Sequence, residues 1–311
     1  MSEEALIHLA SGVGNIVQAT PLVLALAEMG LTIDIRLDAD YPATIELLSG
    51  WSAIRSIRCG SFPSPLAAYR YIVPAVPPFY WPRFASLYRH LRPPALRPSN
   101  SLFYSDEQAY YLEFAYRLGF PRTQRPFPWL PVAPSPRFGV TANTIVLAPG
   151  CKTGEMAAKR WPYFGSLAEH LPDVALAGTQ DDIAGIAFPA HARSFIDQLS
   201  LAETAAMMAS AGLVVANDSG LAHTAAACGT PTLMLFGPTS ECALGRFPAH
   251  VSILRNVLPC APCWQTAPLR ECAGKITCLS SLTIEQVLAA IDLLLPGVKE
   301  NLNPACHGQL V

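Results

Sequence analysis

Lysine is absent from the first 140 residues, and charge of either sign is scarce throughout, at 14% of the 311 positions. What charge there is nearly cancels. Residues 1–140 carry 12 Arg against 10 acids, giving +2, and the remainder carries 9 Lys or Arg against 13 acids, giving −4. That balance excludes nucleic acid as a general partner, which a basic stripe would have to attract, and leaves a mildly Arg-rich surface on the first half. Although 51% of the residues are hydrophobic, there is no uninterrupted apolar run of about 18 residues such as spans a bilayer. The opening MSEEALIHLASGVGN starts with two acids and is broken at His8, so it lacks the basic start and apolar centre of an export signal. The expectation is a soluble, cytoplasmic protein. In that compartment nine cysteines point to thiols or a metal site rather than to a disulfide framework.

The chain is long enough for two α/β domains, each with its own core. ALIHLA, the glycine turn SGVGN and the helical pattern IVQATPLVLALAEMG read as strand, turn and helix; LTIDIRLD alternates like a second strand, and PATIELLSG reads as a short helix. From Phe62 to Pro136 prolines and aromatics dominate, and only SDEQAYYLEFAYRLG reads clearly, as a helix. APSPRFGVTAN has the composition of an interdomain linker. Beyond it TIVLAPG, VALAG, LVVAND and PTLMLFG alternate with the helical segments PYFGSLAEHL, LAETAAMMASA and GLAHTAAACG, which specifies a parallel sheet with helices on both faces. TIEQVLAAIDLLL closes the second domain as a helix. The expected division is 1–140, 141–296 and a tail, 297–311.

Three loops follow these strands at their carboxyl ends, where open parallel sheets bind ligands. The first is Ser11-Gly12-Val13-Gly14-Asn15, whose glycines allow close backbone approach to an anion or sugar; it lacks the third glycine of a dinucleotide fingerprint, so an ordinary tight turn is an equal reading. The second runs from Ala148 to Pro162 and carries Gly150, Lys152, Gly154, Lys159 and Arg160. Its cations suit a diphosphate, and its spacing is not that of a Walker loop. Lys152 also reads as a solvated loop cation. The third is Asn217-Asp218-Ser219-Gly220-Leu221-Ala222-His223, which can bind ribose hydroxyls and phosphate oxygens together, or can be a capped helix start with His223 packed inside.

GVGNIVQATPLVLALAE, PGCKTGEMAAKRWP and NDSGLAHTAAACGTPTLMLFGPT stand in the order and at the separations seen in family 9 glycosyltransferases, and the chain resembles that family, the lipopolysaccharide heptosyltransferases and their relatives. The resemblance covers the C-terminal half nearly end to end and about the first thirty residues. It implies a GT-B fold, two Rossmann-like domains facing a central cleft, the first for acceptor and the second for a nucleotide-sugar donor, ADP-heptose above others. By motif position it implies that Lys159 contacts the donor diphosphate, that Asp218, Ser219, Gly220 and His223 line the donor pocket, that Asp181 holds the adenosine ribose, and that Leu199 lies beneath the base; Gly12 and Gly14 of the first loop are expected among the donor-binding residues. The acceptor would be a glycan of the lipopolysaccharide core or a protein, with at most peripheral contact at the inner face of the bacterial inner membrane.

One position departs from the family. Where heptosyltransferases usually carry an Asp that deprotonates the acceptor, this chain has Asn15, and an amide is no general base. Asn15 and Lys159 are the candidate catalytic positions, and three readings stand: Asp40, Asp106, Glu107 or His8 takes the proton, Asn15 only orients an acceptor, or the protein is a poor catalyst. A GT-B-shaped nucleotide-sugar epimerase and a non-catalytic sugar-nucleotide binder are the alternatives of other classes. Finally, Cys260, Cys263, Cys272 and Cys278 form C-x2-C-x8-C-x5-C, a set able to close a tetrahedral zinc or iron site with a structural role. Similar clusters occur in this region of many family relatives, some of them iron-carrying.

Overall fold

The computed structural model describes residues 3–38, 42–63, 65–88, 98–151, 159–263 and 277–295. The first half builds β1 (Glu4–Leu9), α1 (Val13–Gln18), α2 (Thr20–Glu28), β2 (Thr32–Leu37), α3 (Thr44–Leu48), β3 (Ile54–Cys59), β4 (Tyr71–Ala75), α4 (Trp81–Tyr88), α5 (Asn100–Ser105) and α6 (Glu107–Arg117). Its four strands are all parallel, in the order β3-β2-β1-β4. The single helix expected after the glycine turn is two helices broken at Ala19, with Pro21 in the first turn of the second, where a missing N–H costs nothing. The alternation in LTIDIRLD does not mean one wet face: Asp34, Arg36 and Asp38 are buried along with Ile33, Ile35 and Leu37.

The second half builds β5 (Ile145–Ala148), α7 (Phe164–Glu169), β6 (Val174–Leu176), β7 (Arg193–Ser194), α8 (Leu201–Met208), β8 (Leu213–Asn217), α9 (Gly220–Ala227), β9 (Thr232–Leu235), β10 (Val251–Leu254), α10 (Thr277–Ser280) and α11 (Ile284–Leu294). The parallel strands lie in the order β10-β9-β8-β5-β6-β7, so the chain runs outward from β5 in one direction and then from β8 in the other. Between β5 and β8 the winding reverses, and that switch point is where doubly wound sheets open a crevice for ligands. Strand alternation assigns the two faces. Ile145, Leu147, Leu213, Val215, Leu233 and Leu235 pack with Leu167, Val287 and Ile291 of α7 and α11, while Val146, Ala148, Val214, Ala216 and Met234 pack with Met207, Met208, Ala222 and Ala225 of α8 and α9. With both faces covered, these strands read as continuous apolar runs.

The halves are joined by more than a tether. Between the sheets, Trp129 N–H donates to Thr20 Oγ1 at 3.0 Å and Leu130 N–H to the Ala227 carbonyl at 3.0 Å. Ser135 N–H donates to Ser210 Oγ at 2.9 Å. Among the described residues no helix is long and apolar enough to cross a membrane.

Candidate active site

The loops after β1, β5 and β8 converge. At the end of β8, Asn217 is fully buried and divides its amide between two neighbours: Nδ2 donates to the Pro149 carbonyl at 2.6 Å, and Oδ1 accepts the Trp161 N–H at 2.9 Å. One side chain thus ties both ends of the loop after β5 to the switch point. Trp161, buried and donating Nε1–H to the Leu282 carbonyl at 2.8 Å, anchors that end further. Arg160 turns back onto the carbonyls of Cys151 and Asp181. Lys159 is left aimed inward, its ammonium 2.8 Å from Asp218 Oδ2.

Asp218 collects three donors. Lys159 Nζ and Thr239 Oγ1 reach Oδ2, both at 2.8 Å, and His223 Nε2 reaches Oδ1 at 3.1 Å. Burial alone would raise this carboxyl; the Lys159 ammonium, followed by the His223 contact, outweighs it and holds Asp218 well below the usual carboxylate range. Ser219 caps α9, its hydroxyl accepting the Ala222 N–H at 3.4 Å.

The other side of the cluster comes from the first half of the chain. Gln18 at the end of α1 donates its amide to His223 Nδ1 at 3.0 Å, which leaves the ring proton on Nε2, directed at Asp218. Gln108 in α6 donates to Gln18 Oε1 at 2.8 Å and to the Arg246 carbonyl at 2.9 Å, and accepts from Arg246 N–H at 3.2 Å. Both amides are buried. A polar bridge with every donor direction consistent therefore runs from α6 through α1 to Asp218. The backbone comes equally close: a Cβ on Gly14 would stand 3.2 Å from the His223 ring, and one on Gly220 3.0 Å from Val13 Cβ. These two glycines are needed for contact between the loops. Gly12 caps α1 with ordinary extended geometry. Ser11 instead has φ of +90°, a conformation that non-glycine residues hold only where the surroundings enforce it.

Ser11 Oγ donates to Asn15 Oδ1 at 2.8 Å, and Asn15 Nδ2 donates to Glu107 Oε1 at 2.7 Å. Glu107 opens α6, is buried, and receives a further hydrogen bond from Tyr111 one turn on. Burial, reinforced by the charge of Asp218, pushes its carboxyl up to about 7 against the pull of Asn15, Tyr111 and Lys159. Of the other base candidates, Asp106 caps α6 and pairs with Arg125 at 2.6 Å. His8 is buried against Arg36, and Asp40 lies outside the described residues, as does Lys152.

Asp181 stands at the rim beyond β6, exposed, in the turn Gln180–Asp182. Its neighbour Asp182 is the carboxylate built into the fold, accepting from Thr179 N–H and Oγ1 at 2.9 Å and occupying the space over Gly150. Leu199 is half-buried on the α8/α9 face of the second sheet. Gln18, Gln108, Asn217 and Thr239 were not singled out from sequence.

Of the cysteine set, Cys263 N–H donates to the Pro238 carbonyl at 2.9 Å, and Cys278 Sγ lies 3.1 Å from where a Cβ on Gly237 would be. Both therefore reach the loop after β9. Cys260 is exposed and Cys272 lies outside the described residues. Among the described residues no three His, Cys, Asp or Glu side chains form a metal-holding group, and no disulfide joins two described cysteines.

Residues 123–273 match the model of glycosyltransferase family 9 (heptosyltransferase). This region belongs to glycosyltransferase family 9. Lipopolysaccharide heptosyltransferase 1 of Pseudomonas aeruginosa is 36% identical over 115 residues, 34% of this chain and 32% of that protein. The match thus spans about a third of the length of the curated relative. Solved structures extend the likeness to the whole fold. The ADP-heptose lipopolysaccharide heptosyltransferase II of Escherichia coli superimposes with a TM-score of 0.68 at 20% identity, over 94% of this chain and 98% of that one. The dodecameric iron-containing heptosyltransferase TibC of enterotoxigenic E. coli, in complex with ADP-D-beta-D-heptose, does so with a TM-score of 0.66 at 16% identity, over 96% and 78%. The architecture is GT-B, as in the solved heptosyltransferases it superimposes on.

Proposed function

We propose that the protein is an inverting glycosyltransferase that moves heptose from ADP-heptose to a sugar of the lipopolysaccharide core. The observation that carries this reading is the Lys159–Asp218–His223 cluster at the switch point of the second sheet, closed by side chains of the first domain. Such a site offers a cation where the donor's diphosphate would lie and a water-poor wall against which charge can be stabilised. The names of the relatives, a lipopolysaccharide heptosyltransferase and heptosyltransferases described with ADP-heptose, support the choice of donor.

In this mechanism the acceptor oxygen attacks the anomeric carbon from the face opposite the diphosphate. The bond to the leaving oxygen breaks, and Lys159 transfers its ammonium from Asp218 to the phosphate as negative charge grows there. Asp218 and His223 keep that lysine positioned. Ser219 and Gly220 present backbone N–H groups to the nucleotide, Asp181 binds its ribose and Leu199 supports its base. The first domain binds the acceptor, and transfer takes place in the cytoplasm. A protein acceptor is the second form of the same reaction.

A structural zinc or iron ion on Cys260, Cys263, Cys272 and Cys278 belongs to this reading. The set is all thiolate, suited to either metal, and Cys263 and Cys278 flank one loop. When bound, the ion would fix the 260–278 segment and leave no open position for substrate.

Lys159→Ala should lower the rate of ADP release from ADP-heptose by more than roughly a hundredfold, since a lost charge-assisted contact in the transition state costs roughly 3 kcal/mol. Thermal shift across nucleoside diphosphates checks the base, and ADP should stabilise the protein most. A near-wild-type rate for the variant would remove Lys159 from the mechanism.

A further inference from the structure

Transfer by displacement leaves the acceptor's proton in need of a destination. Four described Lys, Asp, His and Glu side chains stand in the convergent cluster: Lys159 from the loop after β5, Asp218 after β8, His223 on α9 and Glu107 on α6. Lys159 is a cation. Asp218 is saturated by three donors, one of them that cation. His223 has Nδ1 taken by Gln18 and Nε2–H directed at Asp218, so accepting a proton would cost it the bridge between the domains. Glu107 differs from all three. Its hydrogen-bond partners in the cluster are neutral, the Asn15 amide and the Tyr111 hydroxyl, and Asn15, half-exposed in the first turn of α1, lies beside it at a hydrogen bond of 2.7 Å.

We propose that Glu107 is the general base: Asn15 orients the acceptor hydroxyl and Glu107 takes its proton. The proposal rests on the transferase reading above. As the acceptor oxygen bonds to the anomeric carbon, its proton passes directly to a Glu107 carboxylate oxygen, the hydroxyl lying beside the Asn15 amide, which orients it and carries no proton itself. The bond to the diphosphate breaks with its electron pair, and the charge so released is met by Lys159. The amide and the carboxylate divide work that one carboxylate at position 15 would do alone. Asn15 is held for it by Ser11, whose positive φ aims the hydroxyl at Asn15 Oδ1. A carboxyl held near neutrality, as this one is, is matched to taking a proton at physiological pH.

The test compares the wild type with Glu107→Gln and with the exchange variant Asn15→Asp/Glu107→Gln, which keeps an amide–carboxylate hydrogen bond but reverses its ends. The readout is ADP release from ADP-heptose, with a heptose-deficient core oligosaccharide as acceptor and with water in its absence, between pH 5 and 9. Calorimetric ADP affinity is measured alongside. In the wild type kcat should rise with pH to a plateau through an acid limb near 7. Glu107→Gln should lose kcat at least a hundredfold and lose that limb, with its ADP affinity within threefold of wild type. The exchange variant should recover at least tenfold of the loss, with the limb moved to lower pH. Glu107→Gln within threefold of the wild-type kcat, or retaining the acid limb, overturns the base role alone. Wild-type protein that binds ADP but releases none from ADP-heptose under either condition overturns the transferase reading, and the base role with it.

Discussion

Asp218 and Glu107 are buried carboxyls in one cluster with opposite electrostatic fates, and the difference is measurable as stability. Asp218 is depressed by Lys159, so its contribution is present above the ordinary carboxylate value and is lost as pH falls through the folded one. Glu107 is raised from 4.5 to about 7 by burial. Between those values the folded protein holds a proton that the unfolded chain has released, so stability falls as pH rises, by about 3 kcal/mol once both states are ionised. Glu107→Gln should therefore melt close to wild type at pH 5 and higher than wild type at pH 8; an equal difference at the two pH values would contradict the raised carboxyl. Lys159, Asp218 and His223 were legible because each follows a strand with a strong apolar signal. Glu107 was one candidate among four, since nothing in SDEQ tells which acid caps the helix and which turns inward. A hint was present: Glu107 precedes Tyr111 by one turn, on the face that α6 buries.

Helices α1 and α9 approach closely because each presents a glycine where they meet. A Cβ at Gly220 would press on Val13 Cβ at 3.0 Å, and neither partner is the far end of a flexible chain. Gly220→Ala should destabilise by about 1–3 kcal/mol, the usual cost of overpacking, and should weaken ADP binding by displacing the start of α9. A calorimetric affinity equal to wild type in a folded Gly220→Ala protein would show that the helix start does not touch donor. Element type was readable wherever apolar residues ran without interruption, as in β5, β8 and β9. It failed at β4, whose Pro74 reads as loop; the strand tolerates it because β4 is the edge of its sheet. It failed also at β7, two residues long, and at β10, a partly exposed edge strand, because neither has enough buried surface to leave a pattern.

On the scale of the whole molecule, two sheets of one winding type are held by a polar bridge and a pinned connector. The GT-B arrangement was legible only through the family resemblance, since periodicity says nothing of how two domains face each other. The proposed metal site would add a further constraint to the second domain. Cys263→Ser or Cys272→Ser should lower metal content and melting temperature together, because coordination energy becomes folding energy where no site exists in the unfolded chain. Anaerobically purified protein without stoichiometric metal on elemental analysis would remove the ion from the account.

The bridge from Gln108 through Gln18 to His223 also sets a rule for recombination. A hybrid joining this second domain to the first domain of a relative inherits whatever stands at positions 18 and 108. With apolar residues there, His223 loses the partner that fixes its tautomer, although each half could still fold. Compatibility between halves is thus carried by two buried amides, and a splice that transplants those two glutamines along with the domain is the one expected to yield a working hybrid.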